Sequence, residues 1–440
     1  MKKAWQLNRN KKGANEVKRV LIISQHFYPA IGSHANRIKH LYMLLGKNNF
    51  DVTVLTTEPS YPNKKIYQNG EFWDEESLNR GNDNIIRIGI SSRKYSNHIL
   101  NRLFYYLEIA FKFIFLILKD KQKYDYIFVT SPPLFTGFVG LFAKYRYKTK
   151  FILDIRDLWP ESLKGVGVFD NAFVLMFFGA LEKILYKKSD KIVINSMGFK
   201  EYIQMKAGIP ESKILFIPNG VVKEELAPIN KGKKKSRKLI YAGNLGLAQN
   251  TEIIHQLVPL LAEQNIQLTI IGYGVNRKKL VDSIKTYKNV TFIKPVTKKQ
   301  CFKIIAEHDL SLVTLKDKDV FKTVLPGKII DYMTCGVPIV GVVDGYAKDL
   351  INSEGVGIAL HDSNPQQIMA QIIKLLDDNL ARNKMSRKAQ RLILHHFNWE
   401  TNITSLIEYM NESTLPQQRK DTKDVEKSVH VRMESLHKRC

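Results

Sequence analysis

The residues best suited to chemistry in this chain fall in three clusters, each directly after an apolar run. In Leu325-Pro326-Gly327-Lys328-Ile329-Ile330-Asp331 a lysine opens a helix and an aspartate follows one turn later on the same face. The ammonium can pair with a diphosphate, and the carboxylate can accept hydrogen bonds from two ribose hydroxyls, which together is what a nucleoside diphosphate needs. Tyr241-Ala242-Gly243-Asn244-Leu245-Gly246 also follows an apolar run and opens a helix, giving an N-terminus ready for an anion. Asp154-Ile155-Arg156-Asp157-Leu158-Trp159-Pro160-Glu161 crowds four charges at one strand end. Arg156 there can face phosphate, with Asp157 or Glu161 on sugar or acceptor hydroxyls. The alternative is an ion pair of Arg156 with Asp157 or Glu161 that orders a turn.

A weaker signal precedes these. Ser24-Gln25-His26-Phe27-Tyr28-Pro29-Ala30-Ile31-Gly32-Ser33-His34 feeds a helix, and Gly32 lets backbone N–H groups approach a phosphate; His26 in the same loop is assigned to the acceptor or sugar. Gly272-Tyr273-Gly274 is not a dinucleotide fingerprint, because Arg277 stands where its third glycine belongs. That disfavours a nicotinamide oxidoreductase. No D-x-D motif stands at a strand end, so neither a metal nor another cofactor is required.

Such residues need strands to carry them. Apolar runs Val20–Ile23, Val52–Leu55, Ile85–Ile90, Tyr126–Val129, Phe151–Ile155 and Lys191–Ile194 alternate with amphipathic stretches such as Asn36–Leu45, the pattern of buried parallel strands between helices. A second series runs through Leu239–Ala242, Leu268–Ile271, Val290–Ile293, Leu310–Val313 and Pro338–Val343. Two doubly wound α/β domains are predicted, over 19–220 and 221–396, with the hinge at Pro218-Asn219-Gly220-Val221 before the lysine-rich Lys231–Lys238. A last helix, 397–411, starts at Asn398-Trp399-Glu400 and can cross back to the first domain. Residues 1–18 and 412–440 read as disordered.

With 68 Lys and Arg against 42 Asp and Glu, the net charge is +26, which points to an anionic surface or anionic small molecules. The basic residues recur along the chain without a nucleic-acid-binding motif, so no nucleic-acid partner is expected. Cys301, Cys335 and Cys440 are too scattered for a disulfide framework or a metal site, and the basic N-terminus has no apolar stretch behind it. A cytoplasmic location follows as an expectation. Ile99–Leu118 is the most apolar segment, yet Arg102, Glu108 and Lys112 disfavour a spanning helix. Its polar stripe of Asn101, Tyr105, Glu108 and Lys112 against a face of Leu103, Phe104, Leu107, Phe111, Phe115 and Leu118 suits a helix in a membrane interface, with Lys119, Lys121 and Lys123 near anionic headgroups. A buried helix is the alternative. Phe173–Leu181 has the same character.

Taken together, Thr130-Ser131-Pro132-Pro133, Arg156–Ser162, Pro218-Asn219-Gly220, Gly243-Asn244-Leu245-Gly246 and Pro326–Pro338 resemble the family 4 retaining glycosyltransferases of the GT-B fold over roughly residues 19 to 410. The nearest resemblance is to the branch that builds bacterial capsule, O-antigen and exopolysaccharide, including N-acetylfucosamine-type transferases. The resemblance implies two Rossmann-like domains facing across a cleft, with the acceptor on the first and the donor on the second. It implies that Gly32 lies near the donor diphosphate, Asn244, Gly246 and Gly327 line the donor site, Lys328 binds phosphate, and Asp331 holds the ribose. Arg156, Asp157 and Lys328 are then the catalytic set, and Glu161 joins His26 on the acceptor or sugar side. The implied partners are a nucleotide-sugar, a polyprenyl-diphosphate-linked glycan and the inner face of the cell membrane.

The sequence departs from the family pattern at three points. Its paired glutamates fall at Thr323 and Asp331, Arg156 stands where many relatives have a histidine, and the first glycine pair is Gly32-Ser33. A GT-B sugar-nucleotide epimerase and a non-catalytic membrane scaffold are the rival expectations.

Overall fold

Continuous branched runs such as Val20-Leu21-Ile22-Ile23 hide both faces of a strand, and they assemble into two fully parallel sheets. The computed structural model describes residues 17–412 apart from 69, 80, 92–98, 168–170, 227–235 and 362–363. The disorder expected of 1–18 and 412–440 lies outside the described residues except at 17, 18 and 412, where Glu412 ends a helix, and most of the Lys231–Lys238 stretch also lies outside them.

The first sheet comprises β1 (Arg19–Ile23), β2 (Asp51–Thr57), β3 (Ile85–Ile88), β4 (Tyr126–Ser131), β5 (Lys150–Ile155), β6 (Lys191–Ile194) and β7 (Ile214–Phe216), in the order β3-β2-β1-β4-β5-β6-β7. The second comprises β8 (Lys238–Asn244), β9 (Gln267–Tyr273), β10 (Val290–Ile293), β11 (Leu310–Thr314), β12 (Ile339–Val342) and β13 (Gly357–Leu360), in the order β10-β9-β8-β11-β12-β13. Strand order reverses between β1 and β4 and between β8 and β11, so the connections after those strands part and leave a crevice at the carboxyl ends. That topology is the GT-B fold.

Two edge strands, β7 and β13, were not among the expected ones. Both sit at sheet edges, and they are only three and four residues long, so neither carries a long apolar run. The expected single last helix is broken into Trp399–Asn402 and Thr404–Glu412. Val221 bridges to Asn398, and Trp399, Ile403, Leu406 and Met410 are buried in the core of the first domain. Arg37, fully buried, holds Asp154 at 2.7 Å and donates to the carbonyl of Ile217 at 2.8 Å, tying the first helix to β5 and the hinge.

Helix Ile99–Lys119 turns Tyr105, Ile109, Phe113 and Ile117 into the core, so Tyr105 belongs to the buried stripe and not to the polar one. An aromatic ring outweighs its hydroxyl in that choice, and the hydroxyl stays near the Gln25 amide at 3.5 Å. The opposite face is open: Phe104, Phe111, Phe115 and Leu118 are 54–68% exposed. Helix Ala172–Lys188 likewise leaves Phe173, Met176 and Phe177 in solvent, and both helices pack against helix Leu134–Tyr147 between them. Among the described residues no helix is long and apolar enough to cross a membrane.

Candidate active site

The crevice between the sheets holds a cavity of about 490 Å³. Gly32, Arg156 and Asp157 line it from the first domain; Asn244, Gly327, Lys328 and Asp331 line it from the second. The helix Gly327–Thr334 begins after Pro326 and buries Ile329, Ile330, Tyr332 and Met333 against the second sheet. That packing leaves the face with Lys328 and Asp331 toward the cavity.

Lys328 is held ready. Its Nζ donates to the Tyr241 hydroxyl at 2.6 Å and to Gln249 Oε1 at 2.7 Å, and it lies 4.0 Å from the centre of the Tyr241 ring. Burial pulls its ammonium down to about 7, opposed by the Asp331 carboxylate. Burial pushes Asp331 up to about 6, against the pull of Lys298 and Lys328. Tyr241 stands in the motif read from the sequence and Gln249 three residues beyond its last glycine, but nothing local assigned either to the lysine.

Arg156 enters from the end of β5. One Nη2 reaches the carbonyl of Pro132 at 3.4 Å, while its Nε is buried without a hydrogen-bond partner. Burial draws the guanidinium down to about 10 and raises Asp157 to about 6. Among the described residues no direct ion pair joins Arg156 to Asp157 or Glu161, although the charges of Arg156 and Asp157 favour one another. Glu161 faces away from the cavity: Lys206 Nζ lies 3.0 Å from its carboxylate, and Tyr202 donates to it at 2.9 Å. His26 also stays out of the lining, with its ring 4.5 Å from that of His34. Gly246 lies beside Asn244 and does not line the cavity itself. Thr323 is used at the domain junction, where its carbonyl accepts from Ser196 Oγ at 2.6 Å.

Residues 32–220 match the model of a glycosyl transferase 4-like domain, and residues 222–392 match that of glycosyl transferases group 1. The two matches meet at the hinge and take in both walls of the cleft. The chain is a GT-B glycosyltransferase. Over 278 residues, 61% of this glycosyltransferase and 69% of the relative, it is 25% identical to an uncharacterized glycosyltransferase of Methanocaldococcus jannaschii. It is 22% identical to the probable glycosyltransferase WbjE of Pseudomonas aeruginosa over 66% of this chain and 75% of that one. Anabaena HepE, solved in complex with UDP-glucose, superimposes with a TM-score of 0.62 at 14% identity, covering 90% of this chain and 99% of that one.

The paired titrations of Lys328 and Asp331 define a pH window in which both side chains are charged. Lys328 is cationic below about 7 and loses its charge as pH rises through that value; Asp331 is anionic above about 6 and loses its charge as pH falls through it. Affinity for UDP-glucose, whose diphosphate does not titrate here, is expected to peak between these values. It should fall by about tenfold per pH unit well beyond each limb. Calorimetric titration from pH 5 to 9 checks this, and Lys328→Arg should abolish the alkaline limb.

Proposed function

We propose that this glycosyltransferase moves a sugar from a nucleoside-diphosphate sugar, with retention of configuration, onto a polyprenyl-diphosphate-linked glycan at the cytoplasmic face of a membrane. The observation that carries the donor half is Lys328 and Asp331 facing Arg156 and Asp157 across one cavity. The C1–O bond to the diphosphate breaks as the acceptor oxygen bonds C1 from the same face. A donor phosphate oxygen takes the acceptor proton. Lys328, Arg156 and the helix N-terminus at Gly327 stabilise the leaving diphosphate, and Asp157 holds the acceptor hydroxyl. Neither a strong general base nor a metal is part of the scheme. The UDP-glucose in HepE supports a UDP-linked donor, and a place in capsule, O-antigen or exopolysaccharide assembly is the role that the family resemblance implies. Thermal shift with a panel of UDP-, GDP- and dTDP-sugars, N-acetylated deoxyhexoses included, tests the donor half. Stabilisation by none of them contradicts it.

The acceptor half rests on the open apolar faces of Ile99–Lys119 and Ala172–Lys188. Cations gather where these helices end: Lys144 donates to the carbonyl of Lys188 at 2.8 Å, Arg146 reaches that of Asp120 at 3.4 Å, and Lys119 lies over Phe115. An apolar face beside a basic rim matches an anionic bilayer. Each aromatic or leucyl side chain buried there contributes about 1.5–3 kcal/mol, and each nearby lysine roughly 1 kcal/mol. Phe111→Glu with Phe115→Glu is expected to release the protein from anionic liposomes without lowering its melting temperature, because both rings are solvent-exposed. Activity on a long-chain lipid acceptor should fall at least about tenfold while activity on a short soluble one survives. Flotation of the double variant with the liposomes would contradict this docking face.

A further inference from the structure

The connection from β2 to β3 is a strap of three short turns, Lys64–Tyr67, Gly70–Phe72 and Glu76–Leu78. It is fastened to the loop that carries Gly32: the Ile31 N–H donates to the Tyr67 hydroxyl at 3.0 Å, that hydroxyl donates to the Tyr61 carbonyl, and the Tyr28 hydroxyl donates to Asp74 at 3.1 Å. The strap then reaches the other domain. Tyr61 donates its hydroxyl to Asn244 Oδ1 at 2.9 Å and sets its ring edge-on to Tyr273 at 5.7 Å, and Gln300 donates to Glu71 at 3.0 Å.

Asn244 is exposed at the cleft, with its carboxamide close against two glycines. A Cβ at Gly274, where φ is +112°, would lie 2.2 Å from Asn244 Oδ1, and a Cβ at Gly246 would lie 2.8 Å from Nδ2. These two glycines therefore leave room for one end of the amide each, and Tyr61 fixes which end is which. Burial pushes the Tyr61 hydroxyl up to about 12, so it stays a donor and Oδ1 stays the acceptor. The amide nitrogen is left on the Gly246 side, and Asn244 itself lines the cavity.

We propose that Tyr61 is a positioning residue of the donor site: its hydroxyl orients the Asn244 carboxamide from across the cleft, so that a nucleoside diphosphate meets its full set of donors only when strap and donor loop are engaged. This rests on the nucleotide-sugar reading above. It gives the Gly272-Tyr273-Gly274 sequence a role other than a dinucleotide fingerprint, because Gly274 leaves room for the carboxamide and Tyr273 seats the Tyr61 ring. It also makes donor affinity a property of domain closure, since the bond joins one domain to the other.

A double-mutant cycle on UDP affinity, measured by calorimetry, tests the proposal. Tyr61→Phe and Asn244→Ala should each raise the Kd for UDP about five- to tenfold, as expected for one neutral hydrogen bond. The double variant should bind no more weakly than the poorer single variant, and the melting temperature of Tyr61→Phe should match the parent's. An unchanged Kd in Tyr61→Phe overturns the proposal, as do effects that multiply in the double variant or a lower melting temperature with parental affinity. If the parent protein itself binds no UDP, GDP or dTDP, the nucleotide-sugar reading falls and takes the proposal with it. Parental binding that Tyr61→Phe leaves intact removes the proposal alone.

Discussion

Arg156→Ala is expected to lower turnover by about 10²- to 10³-fold, the usual effect of removing one preorganised donor to a developing negative charge. Arg156 lines the cavity, its Nε has no hydrogen-bond partner, and among the described residues its one hydrogen bond is a 3.4 Å approach to a carbonyl, with the Asp154 and Asp157 carboxylates near enough to favour its charge. A guanidinium with a single long hydrogen bond in the protein keeps its other N–H donors for an anionic substrate. Its removal should therefore leave the melting temperature within about 2 °C of the parent. KM for the donor should change less than kcat, because charge on the leaving diphosphate grows toward the transition state. A variant that melts much earlier yet keeps its specific activity would show that Arg156 serves the turn and not the reaction.

Lys328→Ala is expected to weaken binding of UDP about 10- to 150-fold, from the loss of a charge-assisted bond of about 1.5–3 kcal/mol. Tyr241 and Gln249 already fix the ammonium, so the side chain needs little ordering when the nucleotide arrives. Because burial holds Lys328 near 7, diphosphate binding at pH 8 should draw a proton from solution. Calorimetry in buffers of different ionisation enthalpy would register that uptake, and the alanine variant should lose it together with affinity. Parental affinity for UDP, GDP and their sugars in the variant would remove Lys328 from the donor site.

The parts of this molecule that were legible in its sequence are those whose causes are local. β6 spans the residues that its run marks, because Ile192, Val193 and Ile194 are all buried and a strand hidden on both faces reads as a continuous apolar run. Lys328 and Asp331 share one helical turn, so their spacing alone puts them on one face. Periodicity located the stripes of Ile99–Lys119 but could not say which faced inward, and Tyr105 went to the wrong one because its ring counts for more than its hydroxyl. Glu161 stands in a charged cluster in the sequence, yet its partner Lys206 comes from a helix further along the chain and turns it away from the cleft. Tyr61 and Asn244 meet across 183 residues, and no local signal could pair them. The short edge strands β7 and β13 escaped for a related reason: their place is fixed by the neighbour they extend.

Transfer itself is the most direct measurement. The protein would be incubated with anionic liposomes containing a polyprenyl-diphosphate sugar and, in turn, each radiolabelled nucleotide-sugar that stabilises it. Label should pass into the lipid phase in step with release of the nucleoside diphosphate, and the new glycosidic bond should keep the anomeric configuration of the donor. Release of nucleoside diphosphate without labelled lipid, or conversion of the donor to an isomeric nucleotide-sugar, would contradict the account.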